Sequence, residues 1–217
     1  MSVATLHYIH DPLCGWCYAA QPLVSAVVDT LGDRVALKLH GGGLFGEPHT
    51  LDPDMADHIV QADERIGALS GQPFGKPYLE GLLAEQGTVL FSLPPIAAIL
   101  AVAARDPAKA YPMLVTIQNA HYQRGLRVVE PSVLAELADE VGIDGEAFRS
   151  SFAKMQGTPT FEHVQDSRRM LGELGGQGFP TLALEINGKR QVLPHHHDYG
   201  RPQAFVNRIA ALLPAVH

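Results

Sequence analysis

The chain has 217 residues, 46% of them hydrophobic and 18% charged, enough apolar material for a sizeable core, which excludes the disordered and low-complexity classes. Its length suits one domain, or one domain carrying a large insertion. Sixteen Lys and Arg stand against 23 Asp and Glu, a formal charge of -7, and that balance excludes broad binding to a nucleic-acid backbone, which needs clustered cations.

Thr5 to Ile9 is a short β-prone run, and Val35 to Leu39 alternates as a half-buried strand does. Between them Cys14 to Leu31 reads as a helix, with Leu23, Val27, Val28 and Leu31 on one face and a kink expected at Pro22. The result is a β-α-β unit, the building block of a parallel sheet. Gly41-Gly42-Gly43 follows without the Gly-Lys-Ser/Thr ending of a phosphate loop and reads as a hinge. From Pro53 to Met155 no strand is expected, only helix starts and apolar stripes. Asp52-Pro53 pairs an N-cap with a first-turn proline ahead of Met55, Ile59, Ala62, Ile66 and Leu69. Lys76 to Glu85 reads as a short helix and Leu93 to Ala104, after Ser92, as another. Asp106-Pro107 opens a helix ending near Gly125, and Pro131 to Val141 and Asp144 to Met155 complete the set.

Phe161 to Leu174 is helical in pattern, and Gly175, Gly176 and Gly178 then punctuate the chain before Phe179-Pro180. Thr181 to Ile186 alternates, Asn187-Gly188 is a two-residue hairpin signal, Arg190 to Leu193 returns, and Pro202 to Leu213 is a last helix. The expected architecture is α/β: a β-α-β … α-β-β-α sheet domain, residues 1–48 and 156–217, interrupted by an all-helical insertion domain, residues 49–155.

The chain has two cysteines, Cys14 and Cys17, both in one Cys-Gly-Trp-Cys, so they cannot staple distant segments and point to local chemistry. At the start of a helix the unpaired N–H groups and the positive end of the macrodipole stabilise an anion, and Cys14 is expected to hold substantial thiolate character. Cys17, one turn further in, is less exposed and within reach of a mixed disulfide formed at Cys14. Nucleophile and resolving thiol follow from the spacing.

DPLCGWCYAAQP, the β-α-β start, Pro22 eight residues after Cys14, the helical insertion and the later Phe179-Pro180-Thr181 together resemble the DsbA-like branch of the thioredoxin superfamily, in particular its cytoplasmic protein-disulfide isomerase-like members. The resemblance covers essentially the whole chain. It implies a thioredoxin-like fold, a cis Pro180, and Phe179 pairing its main chain with an extended substrate, with Thr181 beside them. Trp16, between the two cysteines, is a further candidate for substrate contact. The family commonly has a buried carboxylate six positions ahead of the first cysteine, where this chain has Tyr8, which leaves the proton acceptor for Cys17 open between His10, Asp11 and neither.

The function expected is thiol–disulfide exchange through a mixed disulfide with protein or small-molecule substrates. No cofactor is required, and glutathione is a candidate redox partner. A metal site is not expected: zinc wants about four ligands and the cysteine pair supplies two, while His195, His196 and His197 read as a solvated loop because consecutive side chains diverge. The longest apolar run, Pro94 to Ala104, falls far short of the roughly 20 residues that span a bilayer. MSVATLHYIHDPL does not read as a secretory signal, so a cytoplasmic location is expected. Two other readings stay open: a kappa-type glutathione transferase or hydroxychromene-carboxylate isomerase, which shares the insertion architecture but typically uses serine at the Cys14 position, and a non-catalytic peptide-binding or chaperone module.

Overall fold

The computed structural model describes residues 4–215; the outermost residues of the expected sheet domain, 1–3 and 216–217, lie outside that range. Four strands form one sheet in the order β2-β1-β5-β6. Strand β1 (Ala4–His10) lies at its centre, parallel to β2 (Val35–Gly41) and antiparallel to β5 (Thr181–Ile186), which turns back into β6 (Lys189–Val192). Because β1 is covered on both faces, six of its seven residues are buried, His7 and His10 among them. The hairpin between β5 and β6 has Asn187 and Gly188 at φ 51 and 75, the left-handed pair that a two-residue turn needs to match strand twist.

Helix α1 (Gly15–Leu31) connects β1 to β2 and runs through Pro22 uninterrupted. It packs against α8 (Pro202–Leu212) on one side and α2 (Pro53–Ser70) on the other. Between β2 and β5 the chain is helical: α2, a single π-helical turn at Pro77–Leu82, α3 (Leu93–Ala103), α4 (Ala110–Tyr122), α5 (Pro131–Glu140), α6 (Gly145–Met155) and α7 (Thr158–Glu173). Helix α7 returns to the sheet and packs on β2, while α3 is surrounded by α4, α5, α6 and α7. The stretch from Pro53 to Met155, expected to lack strands, departs from that in one place: Val89–Leu90 (β4) pairs with His49–Thr50 (β3) in a two-residue ladder, too short to show any period in sequence.

The insertion is fastened to α1 by an aromatic cluster. Tyr18 stacks on Tyr122 with ring centroids 4.7 Å apart and meets Phe74 edge-on at 5.4 Å, and its hydroxyl donates to the carbonyl of Pro73 at 2.9 Å. Gln72 donates to the Tyr18 carbonyl at 2.9 Å. Aromatic burial of this kind is a large apolar contribution with defined geometry, and it holds α2 and the π-helical turn beside the first two turns of α1.

Candidate active site

Strand β1 ends at His10, and the next three residues form a tight turn built on Asp11. Its carboxylate accepts the N–H of Leu13 at 2.9 Å, and its carbonyl accepts the N–H of Cys14 at 3.2 Å, a side-chain-stabilised turn of the kind Asp favours. Cys14 thereby arrives as the N-cap of α1 in extended conformation, φ -98 and ψ 115. It is 7% exposed and its thiol donates to the carbonyl of Phe179 at 3.5 Å. Cys17 is fully buried one turn later, its sulfur accepting the N–H of Asp11 at 3.4 Å and lying beside Cys14. Burial, above all, and then the Cys14 contact push the Cys17 thiol well above its ordinary value. Both cysteines are free thiols.

The opposite wall is the Phe179–Pro180 peptide, which is cis. The Phe179 ring packs against Gly42: a Cβ there would stand 2.0 Å from a ring carbon. Arg168 of α7 donates to the carbonyls of Gly42, at 2.7 Å, and Gly43, fixing the glycine run beside the dithiol. Cys14, Leu44, Arg168, Leu171 and Phe179 line a recess of about 290 Å³. On the other side of Phe179 a cleft of about 600 Å³ is lined by Trp16, Pro180, Thr181, Val192, His195 and Tyr199. Trp16 is 37% exposed and its ring leans on Tyr199 at 5.3 Å. Thr181 donates its hydroxyl to the carbonyl of Gly178 at 2.8 Å, which fixes the start of β5. Six residues singled out in sequence thus converge: Cys14, Cys17, Trp16, Phe179, Pro180 and Thr181.

Tyr8, at the position where a carboxylate is usual, donates its hydroxyl to the carbonyl of Cys17 at 2.9 Å. A carboxyl does stand near Cys17, but it comes from Asp11. That side chain is fully buried and accepts from Leu44 N–H at 2.6 Å and the Ser92 hydroxyl at 3.0 Å besides Leu13. Burial raises it to about 6 against the opposing pull of those donors. His10 lies beside Tyr8 with ring centroids 5.0 Å apart, near His163 and His40, and burial pushes it down to about 3.

The histidine run departs from the solvated loop expected. His195 is 6% exposed, edge-on to Tyr199 at 5.7 Å, and only His196 and His197 face solvent. The apolar floor of the Trp16 cleft draws one imidazole inward. Among the described residues no group of three or more His, Cys, Asp or Glu side chains is placed to hold a metal ion. Arg168 and Asp63, both close to the dithiol, were not singled out by the sequence, since neither belongs to a local motif.

Fold and dithiol together define a DsbA-like thiol–disulfide oxidoreductase. The family model for the DSBA-like thioredoxin domain matches residues 5–209, and the chain belongs to that family. No curated protein sequence gives a significant match. Among solved structures, the cytosolic disulfide reductase DsbM from Pseudomonas aeruginosa is 43% identical, with 96% of this chain and 98% of that chain covered and a TM-score of 0.89. The same protein solved with GSH matches at 41% identity, the same coverage and a TM-score of 0.87. A Nitrosomonas europaea protein provisionally described as a protein disulfide isomerase matches at 24% identity, 96% coverage of both chains and a TM-score of 0.80, a likeness of fold. No helix is long and apolar enough to cross a membrane among the described residues.

Proposed function

We propose that the chain is a cytoplasmic disulfide reductase in which Cys14 is the nucleophile and Cys17 the resolving thiol. The observation that carries this reading is the placement of Cys14 at the N-terminus of α1, its sulfur in contact with Cys17 behind it and with the Phe179 carbonyl in front. The Cys14 thiolate attacks one sulfur of a substrate disulfide, the other leaves as a thiolate, and a mixed disulfide forms. Cys17 then loses its proton and attacks the Cys14 sulfur, releasing the second substrate thiol and closing the Cys14–Cys17 disulfide. Two electrons pass to the substrate, and two equivalents of glutathione restore the dithiol and leave as glutathione disulfide. Phe179, Pro180 and Thr181 present main chain beside Cys14 to an extended segment of a protein substrate, and Trp16 forms the side of that groove. Residues 49–155 act as the insertion domain, with residues 1–48 and 156–217 as the catalytic scaffold.

The 43% identity to a cytosolic disulfide reductase, and the complex of that protein with GSH, support both the direction and glutathione as reductant; no resident cofactor is needed. The test is a Cys17→Ser variant recovered from cells under non-reducing conditions. Mass spectrometry is expected to find proteins or glutathione held at Cys14. Glutathione-dependent transfer that survives Cys14→Ser would instead place the chain with the transferases, and binding of unfolded chains indifferent to loss of both thiols would make it a chaperone module.

A further inference from the structure

Gly15 follows Cys14 directly, and the space a side chain would occupy there is taken. A Cβ on Gly15 would stand 2.6 Å from Oδ1 of Asp63 and 3.0 Å from Ile66, both on α2, so glycine is what lets the insertion approach α1 this closely. Asp63 is 3% exposed and its other oxygen accepts the hydroxyl of Tyr78 at 2.8 Å. We propose that Asp63 is a positioning residue for the dithiol: it holds a fixed negative charge against the first turn of α1 and so drives the pair toward donating electrons. The proposal rests on the reading of Cys14 as nucleophile.

Each ionisable group facing Asp63 is neutral or anionic at physiological pH. They are Tyr78 from the π-helical turn and Tyr122 from α4, whose ionisation is opposed first by burial and then by Tyr78, Asp63, Cys14 and Cys17. His121, packed on Tyr78 and Tyr122 at 5.0 and 4.7 Å, is pushed down to about 4 by burial. Burial raises Asp63 to about 6, with the Tyr78 hydrogen bond pulling against it, and the carboxyl is therefore ionised above that pH. A carboxylate and a thiolate at one helix terminus compete for the same positive potential, and each makes the other harder to form. The disulfide carries no charge, so the penalty falls on the reduced form alone. Destabilising the reduced form makes a dithiol a stronger reductant, the converse of a pair whose reduced form is stabilised and which therefore oxidises.

The experiment equilibrates the full chain with glutathione buffers, in which dithiol plus glutathione disulfide gives protein disulfide plus two glutathiones. It counts free thiols and, on the reduced protein, follows iodoacetamide alkylation of Cys14 against pH. For Asp63→Asn the equilibrium is expected to move about tenfold toward the dithiol, a midpoint about 30 mV higher. Alkylation near pH 7 is expected to be about tenfold faster than in wild type, and the two profiles should converge below about pH 6, where the wild-type carboxyl is itself neutral. A folded Asp63→Asn protein whose midpoint and profile superimpose on wild type overturns the proposal. Should Asp63→Asn not fold, Tyr78→Phe decides: it removes a hydrogen bond to Asp63 and none to Asp11, so the inflection near pH 6 is expected to move upward, and an unmoved inflection overturns the proposal. A wild-type pair that closes in no glutathione buffer is a different result, the failure of the oxidoreductase reading, and takes this proposal with it.

Discussion

Gly42 has no room for a side chain, and the reason is functional geometry rather than backbone conformation. Its Cα carries the Phe179 ring, and a methyl group there would overlap a ring carbon. Gly42→Ala is expected to cost about 1–3 kcal/mol, the range for overpacking, and to slow substrate reduction by moving the Phe179 carbonyl away from Cys14. Urea unfolding and a reductase assay check the two halves separately. At the dithiol, the full burial of Cys17 and the upward push on its thiol make alkylation asymmetric. In the reduced native protein Cys14 is expected to react at least about tenfold faster than Cys17, and peptide mapping after a short iodoacetamide pulse reads the ratio; equal labelling would remove the assignment of roles. Cys14, Cys17 and Phe179 were legible in the sequence because each sits in a short motif, whereas Gly42 read only as part of a hinge and its role as the seat of the Phe179 ring was not visible. Asp11 was visible but not oriented, since strand alternation stops at His10 and only its bonds to Leu44 and Ser92 show where the carboxyl points. Asp63 and Arg168 act across chain separations for which one sequence offers no signal.

Elements declared themselves where capping chemistry is strong. Asp52 accepts the N–H of Met55 at 2.8 Å, so α2 begins where an N-cap was expected, and Asp144, the first residue of the last helix expected in the insertion, accepts those of Glu146 and Ala147 at 3.1 and 2.9 Å. Helix α7 begins earlier than the apolar pattern indicated, at Thr158, with Pro159 in the first turn after Gly157 at φ 73. The helix expected from Asp106 starts as a 3-10 turn at Pro107–Lys109 before α4, and the short helix expected over Lys76 to Glu85 is a π-helical turn. Both deviations concern hydrogen-bond register, to which hydrophobic spacing is blind. Within the insertion the buried Phe148 of α6 stacks on Phe152 at 5.3 Å. Phe148→Ala is expected to destabilise by about 3–5 kcal/mol, measured by chemical denaturation. If α6 is part of one cooperative unit with the sheet, the loss appears in a single transition; a separate early transition would show the insertion melting alone.

Over the whole molecule, buried ionisable groups set how stability follows pH. Burial pushes His10 and His40 down to about 3 and His121 to about 4; their contribution is complete above the ordinary imidazole value and is lost as pH falls through the window below it. Asp11 and Asp63, raised to about 6, act with the opposite sign: their contribution is complete below the ordinary carboxyl value and is lost as pH rises through about 6. Near pH 5 these three imidazoles outnumber the two carboxyls, and His7, His163 and His195, also pushed down by burial, add to the same side, so unfolding takes up at least about one net proton. Stability is therefore expected to rise with pH there by at least about 1.4 kcal/mol per unit. Urea midpoints across that window measure the slope, and a flat or falling curve would contradict the balance.

The place of β1 between β2 and β5 has a consequence for the chain as it is synthesised. One edge of β1 is satisfied almost at once by β2, but the other waits for Thr181–Ile186, with Ala4 finally opposite Ile186. At translation rates of about 5–20 residues per second, that edge stays open for on the order of 10 s while the helices of the insertion emerge. An unpaired apolar strand edge is a template for association with other chains, and these long-range pairings are the slow ones to form. During that interval the nascent polypeptide depends on the insertion folding early, or on a chaperone at the ribosome exit, to keep its central strand from pairing with a neighbour.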